Sequence, residues 1–107
     1  MKDIKEIYNI LENIKFKVGI KESIKIKLKP SKKKIASISL AKRIIYLNSV
    51  VLDKLSKEEL SYIIAHELLH LKHGPFHTKK FKDELSSLFE KDYHLDIFYK
   101  LSNLNKI

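Results

Sequence analysis

Ser56-Lys57-Glu58-Glu59 at its head and Gly74-Pro75 at its foot frame a stretch that this chain has little choice but to build as one helix. The Ser56 hydroxyl can accept from the backbone N–H of Glu59, and the Glu59 carboxylate can reach back to the N–H of Ser56. Leu60, Ile64, Leu68 and Leu71 follow as one apolar stripe at helical spacing. Glycine followed by proline is the usual stop. Inside this helix stands His66-Glu67-Leu68-Leu69-His70. Residues four apart share a face, so both imidazoles can reach one ion. Glu67 falls about 100° round the helix from His66 and about 60° from His70. From there its carboxylate can touch a metal-bound water without ligating the metal.

A catalytic zinc needs a third protein ligand and one open position. The chain has no cysteine, so that ligand must be His, Asp or Glu. On a straight helix His73 lies about 10 Å along the axis from His66, too far to share an ion with both. His77 comes after the Gly74-Pro75 break and can swing back. It is therefore preferred over His73, with His94 a distant third candidate. Clustering of His66, His70, His73 and His77, two of them flanking a glutamate at helical spacing, outweighs the ordinary reading of a histidine as a solvated side chain. A purely structural zinc is the weaker alternative, because Glu67 would have no purpose beside it.

The rest of the chain fits one domain over residues 1–107. Residues 3–16 place Ile4, Ile7, Tyr8, Leu11 and Ile14 at helical spacing, with Gly19 as the end. Ile24 to Lys29 alternates strictly between apolar residues and lysine, as a half-buried strand does. Ile35–Leu40 and Ile44–Asn48 supply two more strands, which the short connections predict to form an antiparallel meander. Helices are expected from about Thr78, with Phe81, Leu85 and Leu88 on one face, and from about Asp92 to Leu104. The expected class is α+β: an N-terminal helix, a small antiparallel three-stranded sheet, the helix bearing the two histidines, then C-terminal helices.

Residues Ile35 to Phe81 resemble the zinc-peptidase core of the YgjP-like proteins and of membrane gluzincins of the CAAX-protease and HtpX type. There, a strand hairpin leads into an acidic-capped helix carrying HELxH. His77-Thr78-Lys79-Lys80-Phe81 is similar to the YgjP-like pattern of a His, a small hydroxyl residue and a later Phe. The gap from His70 to His77, lengthened by Phe76, is one residue longer than in that pattern. In size, and in having a His as third ligand, the chain most resembles the minigluzincins, soluble metallopeptidases from thermophilic prokaryotes. The resemblance implies an α+β core, one catalytic zinc per protomer on His66, His70 and His77, and a latent form maintained by the C-terminal segment. It also places the substrate-binding sheet edge at Ile35–Leu40.

The expected chemistry is therefore zinc-dependent cleavage within peptide or unfolded-protein substrates. Zinc acidifies its water and polarises the scissile carbonyl. Glu67 takes the water proton and delivers it to the leaving amine. Tyr93, His94 and Tyr99 are residue types able to stabilise an oxyanion. Residues 89–107 are expected to act as a latency segment, the alternative being that they are simply the last helix of the core. Phe89, Leu95, Ile97, Phe98, Tyr99, Leu101, Leu104 and Ile107 make it apolar enough to need a covering surface, and the cleft beside His66 and His70 is the vacant one. Docking within one chain and docking across a homodimer are both open, and a side chain of Asp92, His94 or Asp96 is available for the fourth zinc position.

Charge supplies the competing class. Residues 1–54 carry 14 basic and 5 acidic side chains, whereas residues 55–107 carry 8 of each. A basic, nucleic-acid-associated metalloprotein of the SprT or WLM type would use Lys15, Lys17, Lys25, Lys27, Lys29, Lys32, Lys33 and Lys34 on phosphates. Arg43 is the only arginine and interleaved aromatics are few, so a solvated lysine coat is the more economical reading and nucleic acid is not the expected partner. The Lys- and Ile-rich, Cys-free composition leans toward a thermophile. With no apolar leader and no membrane-length apolar run, a cytoplasmic location is expected.

Overall fold

A computed structural model describes residues 3–104, the side chains of Phe98 and of residues 102–104 excepted. Asp3 opens helix α1 (Ile4–Val18) by accepting from the N–H of Lys5. Ile7, Ile10, Leu11, Ile14 and Val18 are buried along it. Gly19 ends it at φ 77°, the left-handed conformation a glycine tolerates.

Three strands follow: β1 (Lys25–Lys29), β2 (Ala36–Ser39) and β3 (Ile44–Asn48). Their order in the sheet is β1-β3-β2, with β3 antiparallel to β2 and parallel to β1. The α+β class stands, but the antiparallel meander does not: β1 never pairs with β2. Burial explains the change. β3 is buried at Ile44, Ile45, Leu47 and Asn48, the profile of a central strand. β1 buries only Ile26 and shows its lysines to solvent, as an edge strand does. The chain therefore leaves β1, crosses past one strand position, descends β2 and returns in the middle. Asn48 fixes that crossover. Its amide donates to the carbonyls of Ser31 and Lys34 at 2.9 and 2.8 Å, and its carbonyl accepts from the N–H of Val50 at 3.0 Å.

A single 3₁₀ turn (Leu52–Lys54) leads into α2 (Lys57–His73), which begins with the expected capping box at Ser56 and Glu59 and stops at Gly74. Helix α2 buries more than the predicted stripe. Besides Leu60, Ile64 and Leu68, it buries Tyr62, Ile63, Ala65 and Leu69. It is the central helix, packed by α1, by α3 (Lys79–Leu88) and by β2. The last helix, α4 (His94–Leu104), adds Ile97 and Leu101 to the same core.

Candidate metal centre

The central helix presents His66 and His70 from adjacent turns of one face, and the chain beyond Gly74 brings His77 back to them. One ring nitrogen from each of the three lies within 4.8 Å of the others. His70 Nε2 and His77 Nε2 stand 3.1 Å apart. Bonds of about 2.0–2.1 Å to a tetrahedral zinc put ligand nitrogens about 3.3 Å from one another; the His70–His77 pair has that spacing already, and the three together could hold one ion. The orientation of the rings fits as well. His70 Nδ1 lies 3.0 Å from the carbonyl oxygen of Gly74. A carbonyl can only accept, so Nδ1 holds the proton and the Nε2 lone pair is left for a metal. His66 Nδ1 lies 3.0 Å from Glu67 Oε2, which likewise leaves its Nε2 for an ion.

Phe81 is the floor of this cluster. It is 1% exposed, and its ring centre lies 5.2, 4.7 and 4.9 Å from the rings of His66, His70 and His77. Sequence periodicity places Phe81 on the inner face of α3 but gives no sign that it carries the imidazoles. Partial desolvation, and then the neighbouring rings of His66 and His70, hold the His77 pKa below the ordinary imidazole range. A neutral ring is the form that can ligate.

The other histidines fall elsewhere. His73 turns away, with Nε2 2.8 Å from Glu84 Oε1, and Lys72 Nζ meets the other oxygen of the same carboxylate at 2.8 Å. Burial pushes the Glu84 carboxyl up, but the hydrogen bonds and charges of Lys72 and His73 outweigh it and hold the group below its usual range. This is a clamp between α2 and α3. His94 lines the cleft without belonging to the three-His group.

The cleft beside His66 is a cavity of about 220 Å³, walled by Ile35 and Ala36 on the β2 side, by Glu67 and Ile63 on α2, and by His94 and Ile97 on α4. Glu67 is 7% exposed. Helix α4 is latched there by side chains far apart in sequence. The Tyr62 hydroxyl donates to Asp92 Oδ1 at 3.0 Å, and the same oxygen caps α4 by accepting from the N–H of His94 at 2.9 Å. Lys100 pairs with Glu59 and donates to the carbonyl of Lys54 at 2.9 Å. Asp96 is engaged by Lys91 at 2.7 Å. A second cavity, of about 480 Å³, adjoins this cleft at His66 and His77; of the three side chains offered for a fourth ligand, His94 borders both cavities, Asp92 the larger alone, and Asp96 neither. Among the tail's apolar residues, Ile97 and Leu101 are buried while Leu95 and Tyr99 are 75% and 66% exposed. Ile107 and the side chains of Phe98 and Leu104 lie outside the described residues.

Residues 2–89 match the BlaR1 peptidase M56 family. The protein aq_aa15 of Aquifex aeolicus is 49% identical over 94 residues, covering 88% of this chain and 86% of that one. The protein MJ1213 of Methanocaldococcus jannaschii is 50% identical over 92 residues, covering 83% and 84%. Among solved structures, the metallopeptidase zymogen of M. jannaschii jannalysin superposes with a TM-score of 0.76 at 38% identity, over 96% of this chain and 97% of that one. The metallopeptidase zymogen of Pyrococcus abyssi abylysin gives 0.75 at 33% identity, over 85% and 87%. Among the described residues, no helix is long and apolar enough to cross a membrane.

Proposed function

The chain belongs to the BlaR1 peptidase M56 family, a metallopeptidase by that membership, and we propose that it is a zinc endopeptidase of the minigluzincin kind, held latent by its C-terminal helix. The observation that carries the reading is the convergence of His66, His70 and His77 on one point beside the carboxylate of Glu67. Three imidazoles suit zinc. An acidic side chain in an open cavity beside them speaks against a closed structural site.

When bound, the metal supplies Lewis acidity toward a carbonyl and acidity to water. The protein supplies the rest. Glu67 accepts the water proton on a carboxylate oxygen and releases it to the leaving amine nitrogen. β2 is an edge strand whose first residues wall the cleft, so an extended peptide can add to it through main-chain hydrogen bonds. His94 and Ile97 of α4 form one wall of the cleft, facing Ile35 and Ala36 across it. That placement supports latency: α4, while latched, stands where a peptide added to β2 would pass the histidines.

Metal content by mass spectrometry tests the ligands. The native chain should carry one zinc, His77→Ala should lose most of it, and His73→Ala should keep it. Exchange of the two results would make His73 the ligand. Glu67→Gln should keep zinc and fold yet lose hydrolysis, since an amide of equal volume cannot take the proton. A variant that stays active with its zinc in place would remove Glu67 as the base.

A further inference from the structure

The face of the sheet turned away from the helices has no part in the peptidase reading. Register fixes its side chains row by row. Lys25 lies beside Ile44, with Ser39 one strand further on; Lys27 lies beside Tyr46, with Ser37 beyond it; and Lys29 lies beside Asn48. Lys25, Lys27 and Lys29 are exposed and make no ion pair with a carboxylate among the described residues. From residue 23 to residue 52 the chain has eight basic side chains and no acidic one. Tyr46 stands half-buried in the centre of the face, and its hydroxyl makes no hydrogen bond to a described residue. Beside it opens a cavity of about 360 Å³ bounded by Lys29, Lys34, Ser37 and Tyr46.

Composition alone favours a solvated lysine coat, but from the alignment of Lys25, Lys27 and Lys29 beside Tyr46 we infer that the sheet is a docking surface for single-stranded nucleic acid. Lysines alternating on one strand recur about every 6.6–6.8 Å, a repeat comparable with that of phosphates along an extended single strand. A line of cations beside an aromatic ring open to a hollow is the arrangement on which a backbone tracks and a base stacks. The face carries no protruding apolar anchor of the kind a membrane-surface element uses. The hollow shares Ile35 and Ala36 with the metal cleft, so a bound strand would lie across β2 from the cleft.

The test is fluorescence anisotropy of the full chain with a labelled 12-nucleotide deoxythymidine strand. Neutralising three or four phosphates should weaken binding about 20- to 50-fold between 50 and 200 mM salt, from a slope of about −0.7 per phosphate. Lys25→Gln, Lys27→Gln and Lys29→Gln together should flatten that slope. Lys5→Gln, Lys57→Gln and Lys79→Gln together, at exposed positions off the face, should not. Tyr46→Ala should weaken binding about fivefold or more, and Tyr46→Phe should restore it; the phenyl variant keeps the fold in view if the alanine one is unstable. Absent or salt-independent binding overturns the inference. So does an equal loss in the off-face triple variant. Equal affinity for a duplex, or for vesicles of phosphatidylcholine with 30% phosphatidylserine, would make the face a general polyanion patch and overturn it as well.

Discussion

His70 is held by a residue whose side chain does nothing. Its Nδ1 proton goes to the carbonyl of Gly74, and Gly74 can aim that carbonyl only because it sits at φ 92°, ψ −174°. This region is essentially confined to glycine. A Cβ added at Gly74 would meet nothing within 4 Å, so replacement costs backbone strain and no collision. Gly74→Ala should therefore lower stability by about 1–3 kcal/mol. It should also loosen the metal about tenfold or more, as loss of an outer-shell partner does. Thermal unfolding of the metal-free chain reads the first effect and chelator competition reads the second. Unchanged metal affinity in a destabilised variant would show that the carbonyl does not orient the ring. His73, three residues along from His70, gives the contrast: its partner is Glu84, so its loss should cost the α2–α3 clamp and leave the metal in place.

Among the elements, α4 has the clearest dependence on pH. Asp92 accepts from the N–H of His94 and the hydroxyl of Tyr62, which outweigh burial and hold its carboxyl below the usual range. Burial pushes Glu59 up, but the hydrogen bonds and charge of Lys100 and the N–H of Ser56 pull it below that range too. Carboxyls depressed by folding stabilise above their unfolded pKa values, about 3.9 and 4.3, and lose that contribution as pH falls through the folded ones. On the alkaline side burial, then Asp92, raises Tyr62 to about 12, so its hydrogen bond persists past the unfolded value and fails as pH rises through 12. Amide exchange in α4, corrected for intrinsic rates, should be flat from about pH 5 to 10 and should rise below about 4. Asp92→Asn should bring the late tyrosinate absorbance down from about 12. An unmoved late component would mean that Asp92 does not set it.

The helices were legible beforehand because their instructions are local: the Ser56–Glu59 box, Gly19, Gly74-Pro75 and Thr78 all act within a turn. The grouping of His66, His70 and His77 follows from local features too, since helical spacing pairs the first two and the break at Gly74-Pro75 lets the third return. Strand order was not legible, because it depends on Asn48 reaching back to Ser31 and Lys34. Nor was the latch, since Tyr62 and Asp92 stand 30 residues apart and Glu59 and Lys100 stand 41 apart.

For the molecule as a whole, α4 belongs to the core and walls the cleft at once. Ile97 and Leu101 are 3% and 5% exposed within the common core, and Ile97 with His94 also walls the metal cleft. Burying an Ile or Leu contributes about 1.5–3 kcal/mol, so removing both takes about 3–6 of the 5–15 kcal/mol that hold a small domain together. Cutting the chain after Glu90 would thus open the cleft and undermine the fold together, and an inactive fragment would say nothing about the proposed latency. Weakening the latch separates the two. Lys100→Ala removes a charge-assisted bond to Glu59, and Asp92→Asn weakens the bond from Tyr62. Each should cost about 1–2 kcal/mol, and the pairs share no partner, so the costs should nearly add. Every 1.4 kcal/mol shifts an equilibrium tenfold. The double variant should therefore open α4 about a hundredfold more often while Ile97 and Leu101 still favour the docked state. Peptidase activity on a denatured protein should rise by tens-fold, with metal content and far-UV CD unchanged. Amide exchange reports whether α4 has opened. Faster exchange in α4 without any gain in activity would show that this helix is core alone, and that latency, if the chain has it, resides elsewhere.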